Sequence, residues 1–168
     1  MGYVHDTAMS QHIPPNAMSF VTGTWSDSAG QVANTISKIK AAAAETTVIT
    51  VPVMIPSNSV ALKGAMLNSI EIDYEIRTSA ATSVTLTVNK ITRGVDTAVA
   101  VVTAITGTQT LTPATTAATV DQHRDKFTIT TPAYIDNDEY YVLKMSAVCA
   151  AGTVLEILSA TANFTLRL

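Results

Sequence analysis

Leu67–Arg77 reads LNSIEIDYEIR, and its period of two sets the frame for the rest of the chain. Ile70, Ile72, Tyr74 and Ile76 fall on one side, and Glu71, Asp73, Glu75 and Arg77 on the other. Successive side chains of a strand point to opposite faces, so this is a β-strand with one dry and one wet face. Such a strand belongs to an antiparallel sheet packed on one side only.

The flanking segments extend the pattern. Thr82–Thr92 alternates with Val84, Leu86 and Val88 inward and Thr85, Thr87 and Asn89 outward. The link Thr78–Ala81 is short enough for a hairpin between these two strands. Thr46–Ile55, TTVITVPVMI, is a further strand; Pro52 cannot donate to a ladder, which places it at an edge or a bulge. Ser19–Ser28 reads as a strand holding the single Trp25. Gln31–Glu45 carries Val32, Ile36, Ile39 and Ala43 at helical spacing, but its Val, Thr and Ile content favours the strand reading, which we prefer. Asp96–Thr106 is another strand, and Gly107–Thr119 reads as a long connection low in charge. Asp121–Thr131 becomes a strand through Phe127 and Ile129, and Tyr140–Val148 is a central strand by its apolar content. Thr153–Ser159 and Asn163–Leu168 form one bent strand or two short ones.

Some eight or nine strands at a spacing of about 8–12 residues predict an all-β chain, an antiparallel β-sandwich of jelly-roll type. The Cys…Trp…Cys pattern of an immunoglobulin domain is absent, since Cys149 is the only cysteine. Residues 1–18 have no period, and Pro14–Pro15 forces extended backbone there. The expected organisation is therefore an extended N-terminal arm, 1–18, ahead of a single domain, 19–168. The arm is either a frayed terminus or a segment that packs on a neighbouring subunit through Ile13, Pro14, Pro15, Met18 and Phe20. In the second case, removing 1–18 weakens assembly and leaves the β-fold intact.

Composition narrows the function classes. Charged residues make up 14% of the 168, well below the roughly 25% usual for soluble domains. A surface so poor in charge is expected to be covered in part by copies of the chain or by a partner. The net charge of −3 gives no general attraction to nucleic acid. No apolar run is long enough to cross a bilayer, and MGYVHDTAMSQH has neither the basic start nor the apolar centre of a signal peptide, so folding in the cytosol is expected.

No residue pattern specifies chemistry. The acidic turn Asp136-Asn137-Asp138-Glu139 is a weak metal candidate through Asp136, Asp138 and Glu139, with Ca²⁺ the fitting ion. It supplies too few ligands by itself and lacks the spacing of a calcium loop, so a solvated turn is the preferred reading. His123, with Asp121, Arg124 and Asp125 beside it, could serve as a general base only with a positioned partner, which the sequence does not specify. His5 and His12 lie in the arm with no cysteine nearby. Glu71, Asp73 and Glu75 resemble paired glycosidase acids, but a solvated strand face with Arg77 accounts for them. Cys149 lies in the apolar run MSAVCAAG and reads as a buried small hydrophobe. There is no GxSxG, HExxH, CxxC or glycine-rich phosphate loop. No enzyme activity, cofactor or catalytic residue is expected.

IPPNAM (13–18), GTW (23–25), AYIDNDEYYVL (133–143) and the terminal NFTLRL (163–168), with Thr- and Ala-rich strands between, resemble small β-rich structural proteins of phage virions. The resemblance implies a head-decoration, capsid- or tail-associated protein. It would be assembled in the host cytoplasm into the virion, as a homo-oligomer, commonly a trimer, bound to other virion proteins. It carries over no functional residues. The alternatives are a carbohydrate- or ligand-binding sandwich module, with aromatics from Trp25, Tyr74, Tyr134, Tyr140 and Tyr141, or a subunit of an extracellular filament or surface layer.

Overall fold

The structure is a computed structural model that describes residues 5–28, 37–58, 64–94, 99–112 and 118–167. Val32 and Ile36 of the ambiguous segment, and residues 113–117 of the expected long connection, lie outside the described residues.

Among the described residues there are twelve strands. They are β1 (Asp6–Ile13), β2 (Ser19–Thr22), β3 (Trp25–Ser28), β4 (Ser37–Lys40), β5 (Glu45–Val53), β6 (Ala65–Arg77), β7 (Ala81–Thr92), β8 (Val101–Ile105), β9 (Gly107–Thr112), β10 (Asp121–Ile129), β11 (Glu139–Cys149) and β12 (Val154–Arg167). Sheet A runs β3-β4-β12-β6-β10-β9, with β1 also on β12; sheet B runs β2-β5-β11-β7-β8. All pairings between these strands are antiparallel. Take β4, β5, β6, β7, β8, β10, β11 and β12 as one to eight. They then lie 1-8-3-6 in sheet A and 2-7-4-5 in sheet B, which is jelly-roll order.

The organising strand is β6, at the centre of sheet A between β12 and β10. Ile70, Ile72, Tyr74 and Ile76 are at most 1% exposed, and Glu71, Asp73, Glu75 and Arg77 form the wet side. Opposite them, Ile49, Val51 and Val53 of β5, Leu86 and Val88 of β7 and Leu143 and Met145 of β11 fill the space between the sheets. Non-directional burial of these faces holds the two layers together.

Four expectations change. The strands number twelve, because the arm holds β1, Ser19–Ser28 divides into β2 and β3, and β9 lies in the stretch read as a connection. The link after Arg77 is not a hairpin: β6 lies in sheet A and β7 in sheet B, so Thr78–Ala80 carries the chain across the sandwich. Thr78 has φ 70 there, a left-handed conformation unusual for a β-branched residue. Ser19–Ser28 is two strands in different sheets, broken at Gly23 with φ +102. Within the stretch read as a long connection, Gly107–Thr112 is strand β9 on β10. Its Gly107 has a packing reason: an added Cβ would lie 2.3 Å from Phe127 Cε1 and 2.5 Å from Thr128 O.

Other readings stand as made. Ser37–Lys40 of the ambiguous segment is a strand, and β12 is one long strand with irregular register at Leu158 and near Asn163. β2 pairs with β5 only as far as Thr50, so Pro52 lies where that edge of β5 has no strand partner among the described residues. The arm is extended, but it lies on its own chain. β1 pairs along β12 from Asp6↔Arg167 to Ile13↔Ala160, and a short 3-10 turn, Pro15–Ala17, leads into β2.

Candidate functional site

The two outer faces of the sandwich differ in chemistry. On sheet A the wet side of β6 is wired to its neighbours. Arg124 grips Asp73 through Nε at 2.6 Å and Nη2 at 3.2 Å, and Ser159 Oγ donates to the same carboxylate at 2.8 Å. Lys126 pairs with Glu71 at 3.3 Å, and Arg77 with Glu75 at 2.8 Å and with buried Glu156. Asn163 Nδ2 donates to Ser69 and Glu71 at 3.3 Å, and its Oδ1 accepts from Ser10 Oγ at 2.7 Å. The three acids read as a glycosidase-like set are thus each ion-paired on an open strand face. A solvated, cross-braced surface describes them.

The outer face of sheet B is built from Thr46, Val48, Thr50 and Pro52 of β5, Tyr140, Val142, Ser146 and Val148 of β11, Ser83, Thr85, Thr87, Asn89 and Ile91 of β7, and Val102 and Ala104 of β8. Lys144 is the only charged side chain on it among the described strand residues. Charge scarcity was legible in the composition; its concentration on one face was not, because it depends on which strands share that sheet.

Beside this face, at one end of the sandwich, lies a groove of about 680 Å³ lined by Pro52, Met54, Ile55, Pro56, Arg93 and Tyr140, among others. Met54 is 69% exposed. The acidic turn closes the rim and is consumed by its own surroundings. Asn58 Nδ2 donates to Asp136 Oδ1 at 2.8 Å, Arg93 bonds the carbonyls of Asn137 and Asp138, and Glu139 holds Lys90 at 2.5 Å. Burial pushes the Glu139 carboxyl up. Hydrogen bonds from Lys90, the Asp136 N–H and Thr92, with the Lys90 charge, more than reverse this and hold it below the usual carboxylate range. No group of three or more metal-ligating side chains occurs among the described residues.

Strand parity separates the residues around His123. Arg124 points outward, while His123 (3% exposed) and Asp125 (0%) point into the sandwich. His123 stacks on Tyr74 with centroids 5.2 Å apart, and its Nε2 lies 2.8 Å from Thr119 O. Asp125 Oδ2 accepts from Gln109 Nε2 at 2.8 Å. Gln109 also reaches sheet B: its Oε1 accepts from Leu86 N at 2.9 Å and its Nε2 donates to Val84 O at 3.3 Å. It thereby clips β9 to the part of β7 that β8 does not reach. Burial pushes the Asp125 carboxyl up, against Gln109, Tyr74 and His123, which pull it down. Burial and then Asp125 raise the Tyr74 phenol well above its ordinary value. This is a structural polar cluster between the sheets.

Sequence reasoning missed two buried charges. Lys40 is 0% exposed; its Nζ donates to Ala41 O at 2.8 Å and Ala43 O at 3.0 Å and pairs with Glu45 at 3.4 Å. The AAAA run after Lys40 is the available signal, since its carbonyls have no polar side chain of their own to cap them. Glu156, also 0% exposed, takes Ser37 Oγ and Arg77.

Of the arm residues, Ile13 (5% exposed), Pro15 and Met18 (7%) are buried in the chain's own core, Phe20 is partly buried and Pro14 is exposed. Of the aromatics, Tyr74 and Tyr141 are core, Trp25 packs on Phe20 with centroids 4.6 Å apart and donates to Thr22 O at 2.9 Å, and Tyr134 sits under Arg167. Tyr140 alone of these lines the groove. His5 and His12 are exposed. Cys149 is 5% exposed, and burial pushes its thiol up, as expected of an inert buried cysteine.

The fold defines an all-β jelly-roll sandwich with one charged and one nearly uncharged outer face. No protein-family model and no curated protein matches the chain. Among solved structures it is similar to an arabinose-bound α-L-arabinofuranosidase, at 13% identity and a TM-score of 0.43. That match covers 91% of this chain and 24% of the enzyme's, so the chain spans about a quarter of that protein's length.

Proposed function

We propose that this chain is a non-enzymatic structural subunit of a virus particle, a phage head-decoration or other virion assembly protein, acting through homo-oligomeric and protein–protein surfaces. The single observation that carries the reading is the outer face of sheet B, five strands wide with one charged side chain. Five strands at about 4.8 Å and nine residues at about 3.3 Å give a face of roughly 700 Å². That is close to one partner's share, about 800 Å², of a standard specific interface. The virion assignment adds the sequence resemblance and a fold-level analogy, since jelly rolls recur in capsid proteins. A trimer is the state the resemblance implies.

The test is the native mass by light scattering over a range of concentrations, with images of the same sample. A discrete oligomer, ring or lattice supports the reading, and a monomer at high concentration overturns it. Because Ile13, Pro15 and Met18 are core residues, a truncation that probes the arm must stop before Ile13.

A carbohydrate- or ligand-binding module is the second reading, favoured by the end groove, whose 680 Å³ falls in the usual range for ligand pockets. Trp25 is tied into packing, so Tyr140→Ala is the informative variant: glycan-array binding lost with Tyr140→Ala supports this reading.

A further inference from the structure

We infer that β8 is a self-association edge, which pairs antiparallel with β8 of a second copy of this chain. This rests on the assembly reading and adds to the sheet B face a separate two-fold contact at the sheet's edge, which joins copies in pairs and is not the contact that would close a trimer.

An open sheet edge presents unpaired N–H and C=O groups, and soluble proteins guard such edges with charges, prolines, bulges or short length. The other edges here are guarded. β3 has four residues and an Asp27–Lys38 ion pair, β2 has four residues and a register break at Val21, and β1 carries the Asp6–Arg167 pair. The edge of β9 faces the seam, where Gln109 holds β7. β8 is one residue longer than β2 and β3 and carries no charge, proline or register shift. Its sequence is VVTAI, Val101 is 59% and Val102 62% exposed, and no further strand pairs with it among the described residues. No charged residue occurs anywhere between Asp96 and Asp121.

Charge decides the occupant. An edge without charge meets a copy of itself with no like-charge repulsion across the two-fold axis, and an isologous contact needs only that self-complementarity. Area sets its strength. Two five-residue strands and their flanking side chains bury several hundred Å² per copy, roughly at or below the 1,200 Å² total of the smallest stable interfaces. The pairing is therefore concentration-dependent by itself and gains strength when repeated around an assembly.

The test is a charge swap at Val102, whose exposure leaves the core untouched, with Val101 as the second position. Sedimentation velocity over a concentration series is run on the full chain, on Val102→Lys, on Val102→Glu and on their equimolar mixture. Far-UV circular dichroism is recorded on each, and the Val101 pair replaces any variant that fails to fold. The expected result is a dissociation constant at least tenfold weaker for each single variant and recovery in the mixture. Unchanged association of both variants, or weakening without recovery, overturns β8–β8 pairing while leaving the assembly reading in place. A parent chain that stays monomeric throughout overturns both.

Discussion

At the scale of single residues, Asp125 between the sheets and Glu139 beside the end groove have opposite pH signatures. Asp125 is buried, and its folded-state carboxyl is pushed up. Its contribution is therefore fully present below the unfolded value, about 3.9, and is lost as pH rises through the folded one. The stability of Asp125→Asn relative to the parent is expected to rise between pH 4 and pH 7 in urea titrations; a constant difference counts against it. Glu139 runs the other way. Its folded carboxyl is lowered, so its contribution is present above the unfolded value, about 4.3, and lost as pH falls through the folded one. Glu139→Gln is expected to destabilise by about 1 kcal/mol at neutral pH and by nothing measurable in acid. Backbone strain offers a cleaner case. Thr78 at φ 70 stores a left-handed penalty that glycine does not bear, so Thr78→Gly is expected to stabilise by about 0.5–1 kcal/mol after its added chain entropy. A lower melting temperature contradicts this.

Among the elements, the least secured is β1. Seven of its eight residues are exposed or half-exposed, and only Ile13 is buried. It is held by its ladder to β12, the Asp6–Arg167 pair and the Ser10–Asn163 hydrogen bond, and Pro14 and Pro15 follow it. The same bonds form equally well within one chain or between two. Ser10 and Asn163 are direct register partners, close enough for a disulfide. In Ser10→Cys with Asn163→Cys, oxidation and non-reducing electrophoresis then report which chain β1 belongs to. A covalent oligomer shows strand exchange, and a monomer band shows the strand at home. The inter-sheet clip is the second element-level device. Gln109→Ala strips a partner from Leu86 N–H and Asp125 together and is expected to lower unfolding free energy by about 1–3 kcal/mol in denaturant titrations.

For the molecule as a whole, the asymmetry of the two outer faces governs behaviour. Sheet A carries a braced network of Arg, Lys, Asp and Glu, and sheet B carries Lys144. Contacts made through sheet B are therefore apolar and hydrogen-bonded, and salt screens them little. The oligomer mass is expected to stay constant between about 0.05 M and about 1 M NaCl, where the Debye length falls below about 5 Å. Dissociation at high salt would assign the contact to sheet A instead.

The period-two pattern of β6, β7 and β11 was readable in the sequence because it is local: each strand must put one face in the core, whichever sheet it joins. That same locality hid the partners. Ile70–Ile76 and Val84–Val88 look alike as neighbours in one hairpin or as opposite walls of a core, and only packing placed them in sheets A and B. β9 alternates Thr108, Thr110 and Thr112 with Gly107, Gln109 and Leu111, but with Leu111 its only large apolar side chain the period marks no dry face, and the strand exists through its ladder to β10 and Phe127 over Gly107. The burial of Lys40 and Glu156, and the gathering of nearly uncharged strand faces into sheet B, likewise follow from contacts between residues far apart in the chain. Composition determined that the surface is poor in charge; tertiary structure decided which face is bare, because a face is made by strands that the sequence does not place side by side.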